Sequence, residues 1–312
     1  MKITTKQSVL IPVKFFSWFK FPLKLSEIRR YQWKISAQEY EINKIVTKHL
    51  LLESKKDVVS IDVSAKERID RTDRAKLLWG TVEKWRKLFS WVPYISQVYV
   101  SNTLSYNNAG RNSDIDILVV AKAGRIWTSR AAMLVLMNIF KIRVQSRDKW
   151  NKFSPEFFVS DRAQNIKNLS IDDDYYLSYW LADLVPIWPD GEHKKFRQEN
   201  SWFKENLPNA WISPRIRKDF VLLKPNFARN LLENFLDSRM GDNLEENLYR
   251  KQRQIIIRNT KKLGVNSSVV TNRDIIKVHF NDRRESVRDA INETLDQTVA
   301  KDKSDIKLAV TN

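Results

Sequence analysis

Two aspartates separated by one residue, Asp114 and Asp116 in Ser113-Asp114-Ile115-Asp116-Ile117-Leu118-Val119-Val120, have the type and spacing to do chemistry. The run reads as a β-strand, in which alternate side chains point the same way. Asp114 and Asp116 then share one face with Cα atoms about 6.5–7 Å apart. Ile115, Ile117 and Val119 fill the other face. Two like charges side by side repel, and a fold tolerates them best with a cation between them. Hard oxygen ligands so arranged suit magnesium and the two-metal chemistry of phosphoryl transfer.

Composition removes several other chemistries. The chain of 312 residues has no cysteine, which excludes disulfides, zinc-thiolate sites and thiol nucleophiles. Three histidines make a multi-histidine metal site a poor expectation. There is no Walker loop, Gly-x-Gly-x-x-Gly, His-Glu-x-x-His or Gly-x-Ser-x-Gly. The formal net charge of +18 favours polyanionic partners, either nucleic acid (RNA or DNA) or an acidic membrane, over a merely solubilising surface. Lys14 and Lys20 interrupt the apolar start, and the apolar run Ala131 to Phe140 is too short to span a bilayer. The expectation is a cytoplasmic protein with no membrane partner; the sequence says nothing about its oligomeric state.

The elements that must position the aspartates follow from periodicity and caps. Residues 1–75 read as a small winged-helix-like domain. An apolar helix Val9 to Trp18 ends at Phe21-Pro22-Leu23. A second helix, Leu25 to Trp33, takes Ser26 as N-cap, and a third opens on the capping box Ser36-Ala37-Gln38-Glu39. A strand Val58 to Val63 follows. The third helix, with Gln38, Lys44 and Lys48, suits either nucleic acid or a packing role.

Residues 76–191 read as the domain holding the aspartates. A long basic helix begins at the capping box Ser64-Ala65-Lys66-Glu67. Strand Gln97 to Ser101 precedes the acidic strand, and an apolar helix Ile126 to Phe140 follows it, with Met133, Met137 and Phe140 as core. Pro155 to Ser160 is a third strand. Asp172-Asp173-Asp174 is better read as a helix start favoured by the macrodipole than as a metal site. Residues 192–300 form a basic, mostly helical region. It contains a helical tract Pro214 to Lys262 broken near Gly241, strand at Val269-Val270 and Ile275 to Phe280, and a last helix from Arg283 to about Val299. Residues 301–312 read as a disordered tail.

The pattern resembles the nucleotidyltransferase fold of the DNA polymerase β superfamily. There, a hydrophobic strand ends in Gly-Ser or Gly-Gly, Asp-h-Asp (h apolar) follows about ten residues later, and a third carboxylate sits on a later strand. Here Tyr99-Val100-Ser101-Asn102-Thr103 stands at the first element and Asp114-Ile115-Asp116, after Ser113, at the second. The chain is also similar to a group of bacterial nucleotidyltransferase-domain proteins with a winged-helix-like N-terminus. It shares with them a segment like Phe15 to Leu23, the spacing Gly124, Trp127, Arg130, and a His279, Asp282, Arg284 (or Arg283) stretch. The fold implied is α+β, a polymerase β-like mixed sheet with helices, flanked by a winged-helix-like domain and a C-terminal helical region.

The resemblance implies roles. Asp114 and Asp116 bind Mg2+ or Mn2+ that bridges the phosphates of an NTP. Glu156 helps activate the attacking hydroxyl, with Asp161 as the alternative third acid. Ser101, Asn102, Thr103 and Ser113 hold the phosphates, and Arg130 neutralises them or is structural. His279 and Asp282 form a pair that fixes the C-terminal segment. The activity implied is transfer of an NMP to a hydroxyl acceptor, RNA or tRNA among the candidates. Two departures point to an alternative, a degenerate scaffold that binds nucleotide or nucleic acid without turnover. One is the uncertain third acid. The other is Asn102 where the family has glycine, at a position needing close backbone approach in a strained conformation; asparagine tolerates such conformations better than most residues.

Overall fold

The computed structural model describes residues 3–48, 53–55, 58–60, 65–145, 148–188, 193–217, 220, 225–263, 268–279 and 282–310. The ends of the expected strands at residues 61–63 and 280, Ser64 of the second capping box, residues 189–191 and the last two residues lie outside these. In order the elements are α1 (Thr5–Trp18), β1 (Leu23–Lys24), α2 (Leu25–Arg30), α3 (Glu39–Lys48), β2 (Glu53–Lys55), β3 (Val58–Ser60), α4 (Ala65–Trp85), β4 (Ile95–Val100), α5 (Asn102–Ser105), β5 (Ile115–Ala121) and α6 (Ile126–Ile139). There follow β6 (Phe153–Ser160), α7 (Tyr175–Asp183), β7 (Val185–Trp188), α8 (His193–Glu199), α9 (Pro208–Ile212), α10 (Phe227–Leu236), α11 (Arg239–Leu263), β8 (Val270–Thr271), β9 (Ile275–Lys277) and α12 (Arg284–Val310).

The fold is α+β. A mixed six-stranded sheet runs β7-β4-β5-β6-β9-β8, in which β5 and β6 are parallel and the other neighbours antiparallel. The alternation expected of the acidic strand holds. Ile115, Ile117 and Val119 are buried on one face with Leu78 of α4, Met133 of α6 and Ile256 of α11. Leu118 and Val120, which share the aspartates' parity, are buried on the other face with Phe16 of α1, Tyr179 of α7 and Ile291 of α12. Continuous apolar runs are what a sheet covered on both faces requires.

The N-terminal helices share this second core. Phe15 lies 4.3 Å from Tyr179 and Phe16 lies 5.0 Å from Tyr106, centroid to centroid. A three-stranded sheet, β1-β3-β2, completes the region. The boundary expected at residue 75 falls inside α4.

Several local expectations are corrected. Ser26 lies inside α2; Lys24 precedes the helix, its N–H donating to the Glu27 carboxylate at 2.8 Å. Gln38, not Ser36, opens α3, its N–H bonded to Glu41 at 2.9 Å. The helical tract expected from Pro214 has no helix at residues 214–217, 220, 225 and 226; it runs as α10 from Phe227 and breaks at residues 237–238, between α10 and α11, just ahead of Gly241. There a Cβ would stand 1.8 Å from the Leu236 carbonyl oxygen, so only glycine fits the junction. Phe140 is half-exposed beside Trp85 (5.4 Å between centroids), while Met133 and Met137 are core. The helix after residue 283 continues to Val310, through most of the segment expected to be disordered.

Candidate active site

Two features of the backbone aim side chains into one cavity. The first is the turn after β4. Ser101 donates its N–H to the Asp116 carbonyl at 3.0 Å, tying the end of β4 to β5. Asn102 then takes φ = +54°, the left-handed region that glycine usually fills and asparagine tolerates. In that conformation its side-chain amide donates to Asp116 Oδ2 at 2.8 Å, and its own oxygen accepts from the Tyr176 hydroxyl at 3.3 Å.

The second feature is a bulge in β6. Asp116 pairs with Ser154, but Leu118 pairs with Phe157, so β6 carries one extra residue across Pro155-Glu156. Proline has no N–H to give a ladder and is tolerated inside a sheet at such irregularities. The bulge lets Ser154, Glu156 and Phe157 all line the cavity with Asp116.

The cavity has a volume of about 340 Å³, within the usual range for ligand pockets. Ser101, Asn102, Thr103, Asp116 and Glu156 line it, together with Lys277, His279, Asp282, Arg283 and Arg284. Its apolar wall includes Phe19, Tyr176, Phe157 and Trp180, the last two stacked at 5.6 Å. Phe19 brings the end of α1 into the site.

Electrostatics at the carboxylates are unfavourable as they stand. Burial pushes the Asp116 carboxyl well above its ordinary range; Asp114 adds to the rise, the Asn102 amide works against it, and Glu156 adds further repulsion. Burial also raises Asp114; its own backbone amide opposes the rise and Glu156 reinforces it. Lys149 acts weakly on both. All three carboxylates therefore feel one another. Among the described residues no three acid, histidine or cysteine side chains lie close enough to hold a metal ion. The donor set still fits a hard divalent cation in chemistry: Asp114, just ahead of β5 and outside the cavity lining, and Asp116 on β5 are oxygen ligands that repel each other, with no ion pair to either among the described residues.

The other expected site residues are placed as follows. Thr103 lines the cavity. Ser113 turns its hydroxyl to the Gly110 N–H at 2.8 Å and so shapes the loop before β5. Arg130 lies away from the cavity lining and bonds Gln252 of α11; burial holds its guanidinium down to about 10. Trp127 donates its indole N–H to the Asn272 carbonyl at 3.1 Å, and Glu245 caps the α6 amides of Trp127 and Thr128, so this motif ties α6 to α11. Asp161 lies just past β6 and accepts from the Ala123 N–H at 3.0 Å, so of the two candidate third acids it is Glu156 that lines the cavity.

The expected His279–Asp282 pair is not made. His279 Nδ1 faces Glu156 Oε2 at 3.8 Å. Asp282 pairs with Arg284 at 2.7 Å, and Arg284 also reaches Asp174 at 3.2 Å. Against the upward push of burial, those bonds hold Asp282 down to about 2. Asp174 is the N-cap of α7, as the plainer reading of the aspartate run expects.

Sequence reasoning missed Lys277. It stands on β9, lines the cavity and donates to Ser268 Oγ at 2.7 Å; burial, with Arg284's charge adding, lowers it to about 8. Its only sequence signal is a cation inside the apolar run Ile275-Ile276-Lys277-Val278. No protein-family model matches the chain, and no curated protein or solved structure is significantly similar to it.

Proposed function

We propose that the chain is a metal-dependent nucleotidyltransferase that moves an NMP group from an NTP to a hydroxyl acceptor, RNA or tRNA among them. One observation carries this reading: Asp116 of β5 and Glu156 on the β6 bulge line one cavity with the Ser101-Asn102-Thr103 turn, and the charge of Asp114 bears on Asp116. The mixed sheet supports a polymerase β-like arrangement. The order α1-β1-α2-α3-β2-β3, with strands paired β1-β3-β2, supports a winged-helix-like reading of the flanking N-terminal region.

Asp114 and Asp116 would hold Mg2+ or Mn2+, which when bound supplies neutralising charge at the nucleotide phosphates. The Thr103 hydroxyl and the turn's backbone bind phosphate oxygens, and Lys277 and Arg283 add cationic charge. The aromatic wall receives the base. Glu156 takes the proton from the acceptor hydroxyl, with His279 next to it to share that proton. The acceptor oxygen bonds to the α-phosphorus and the bond to pyrophosphate breaks. Catalysis is mainly positioning and charge neutralisation.

A second reading, nucleotide or nucleic-acid binding without turnover, is favoured by the Asn102 amide occupying Asp116 Oδ2 and by the lack of a three-ligand group among the described residues. Incubation with each α-labelled NTP, Mg2+ or Mn2+ and cellular RNA tests the two. Label transfer lost in Asp114→Ala and in Asp116→Ala supports the first. Metal-dependent nucleotide binding with no transfer supports the second.

A further inference from the structure

The second half of α11 carries charge that the fold does not use. Residues 247–273 contain seven cations, Arg250, Lys251, Arg253, Arg258, Lys261, Lys262 and Arg273, and no acid. Arg250 and Arg273 share one carboxylate, Glu246, at 2.7 and 2.8 Å. Arg253 donates to the Thr271 carbonyl at 3.2 Å, which keeps its charge outward on the β8–β9 hairpin. Arg258, Lys261 and Lys262 are exposed.

Arg250, Gln254, Arg258 and Lys261 follow one another at four, four and three residues, with Arg253 beside Gln254, so they form one stripe along the helix, lining a shallow depression of about 460 Å³. From Arg250 to Lys261 the helix rises about 16 Å, enough for roughly five phosphates of a stacked strand. The opposite side of α11 is committed: Glu245 caps α6, Gln252 bonds the Trp127 carbonyl at 3.1 Å, and Ile256 is core. Between residues 248 and 262 the one strongly exposed apolar side chain is Ile255, too little for a helix that lies in a bilayer surface.

We infer that this stripe binds single-stranded RNA, with the cations on successive phosphates and Gln254 offering an amide to a 2′-hydroxyl. The surface lies outside the cavity, so its binding does not depend on turnover. The hairpin that Arg253 bonds also carries Lys277, which lines the cavity.

The test is fluorescence anisotropy of a labelled oligouridine on the full chain between about 50 and 200 mM salt. Neutralising Arg253, Arg258 and Lys261 together (each →Gln) should weaken binding about tenfold or more and make the log–log salt slope shallower by about 2. Arg258→Glu with Lys261→Glu, which leaves the hairpin contact intact, should lose affinity in the same direction. Lys66→Gln, Lys76→Gln and Lys84→Gln on α4 remove equal charge and should change little; Asp114→Ala should bind RNA as the wild type does. Equal loss in the α4 variant, or unchanged binding in both α11 variants, would overturn the inference. So would equal affinity for the matching DNA, or α11-dependent capture on phosphatidylserine vesicles without an effect on RNA.

Discussion

Asp183 and Asp116 are both aspartates set against the same side of the sheet, yet they live in opposite surroundings. Asp183, at the end of α7, accepts from the Tyr31 hydroxyl at 2.7–2.8 Å, pairs with Arg215 at 2.6 Å and sits 3.6 Å from Arg30. Every partner it needs is on the chain, and those partners come from the end of α2 and the segment after α9. Asp116 faces Asp114 and Glu156 and receives one neutral amide. The first carboxylate closes a structure; the second leaves a charge for something outside the chain to complete. That difference, rather than burial itself, separates a structural acid from a chemical one.

The sharpest way to break the comparison is to remove each acid in turn. Asp183→Ala strands two guanidiniums and a buried hydroxyl, and should cost about 3–5 kcal/mol in urea or guanidinium unfolding. A loss near zero would mean the network is not holding α2 to α7. Asn102 comes next. Asn102→Ala keeps a Cβ in the left-handed region and loses the amide, so about 1 kcal/mol should go, whereas Asn102→Gly should be nearly neutral. Equal losses in the two variants would contradict the backbone argument.

Asp116→Asn should do the reverse of Asp183→Ala. Its pKa is raised in the folded state, so the carboxylate costs stability above its ordinary value of 3.8 and that cost fades as pH falls toward it. The variant should therefore melt at or above the wild type at pH 7, and the gap should narrow in acid. A variant that melts lower at pH 7 would sink the claim of unrelieved repulsion. The smallest effect is at Lys277. Held down to about 8 against an ordinary 10.5, it should make stability rise between those pH values, and Lys277→Met should flatten that rise.

What the sequence made legible was local. The alternation of the acidic strand and the apolar helix after it are short-range patterns, and both are present; the strained backbone at Asn102 was implied only by the resemblance, and its φ is +54°. The rest depends on pairings between distant segments. Pro155 argued for a strand starting there, and nothing nearby revealed a bulge that begins two residues into β6. His279 and Asp282 are neighbours in the chain, so a pair looked natural, yet β9 lies antiparallel to β6 and carries His279 to Glu156 instead. The resemblance offered Arg130 as a phosphate ligand or as a structural residue, and α6 turns it to Gln252 of α11, the structural role. Phe19 enters the cavity only because α1 packs on α7 through Phe15 and Tyr179. A sequence shows which residues share an element; which elements share a cavity is decided by the sheet order and by the cores on its two faces.

The central claim is that the carboxylates at β5 are completed by a cation that arrives with nucleotide. Titration of a fluorescent ATP analogue with and without Mn2+ measures it directly. In the wild type and in an Asn102→Gly variant, Mn2+ should raise affinity about tenfold or more, and in Asp116→Asn it should not. Equal Mn2+ enhancement in Asp116→Asn and the wild type would contradict the account.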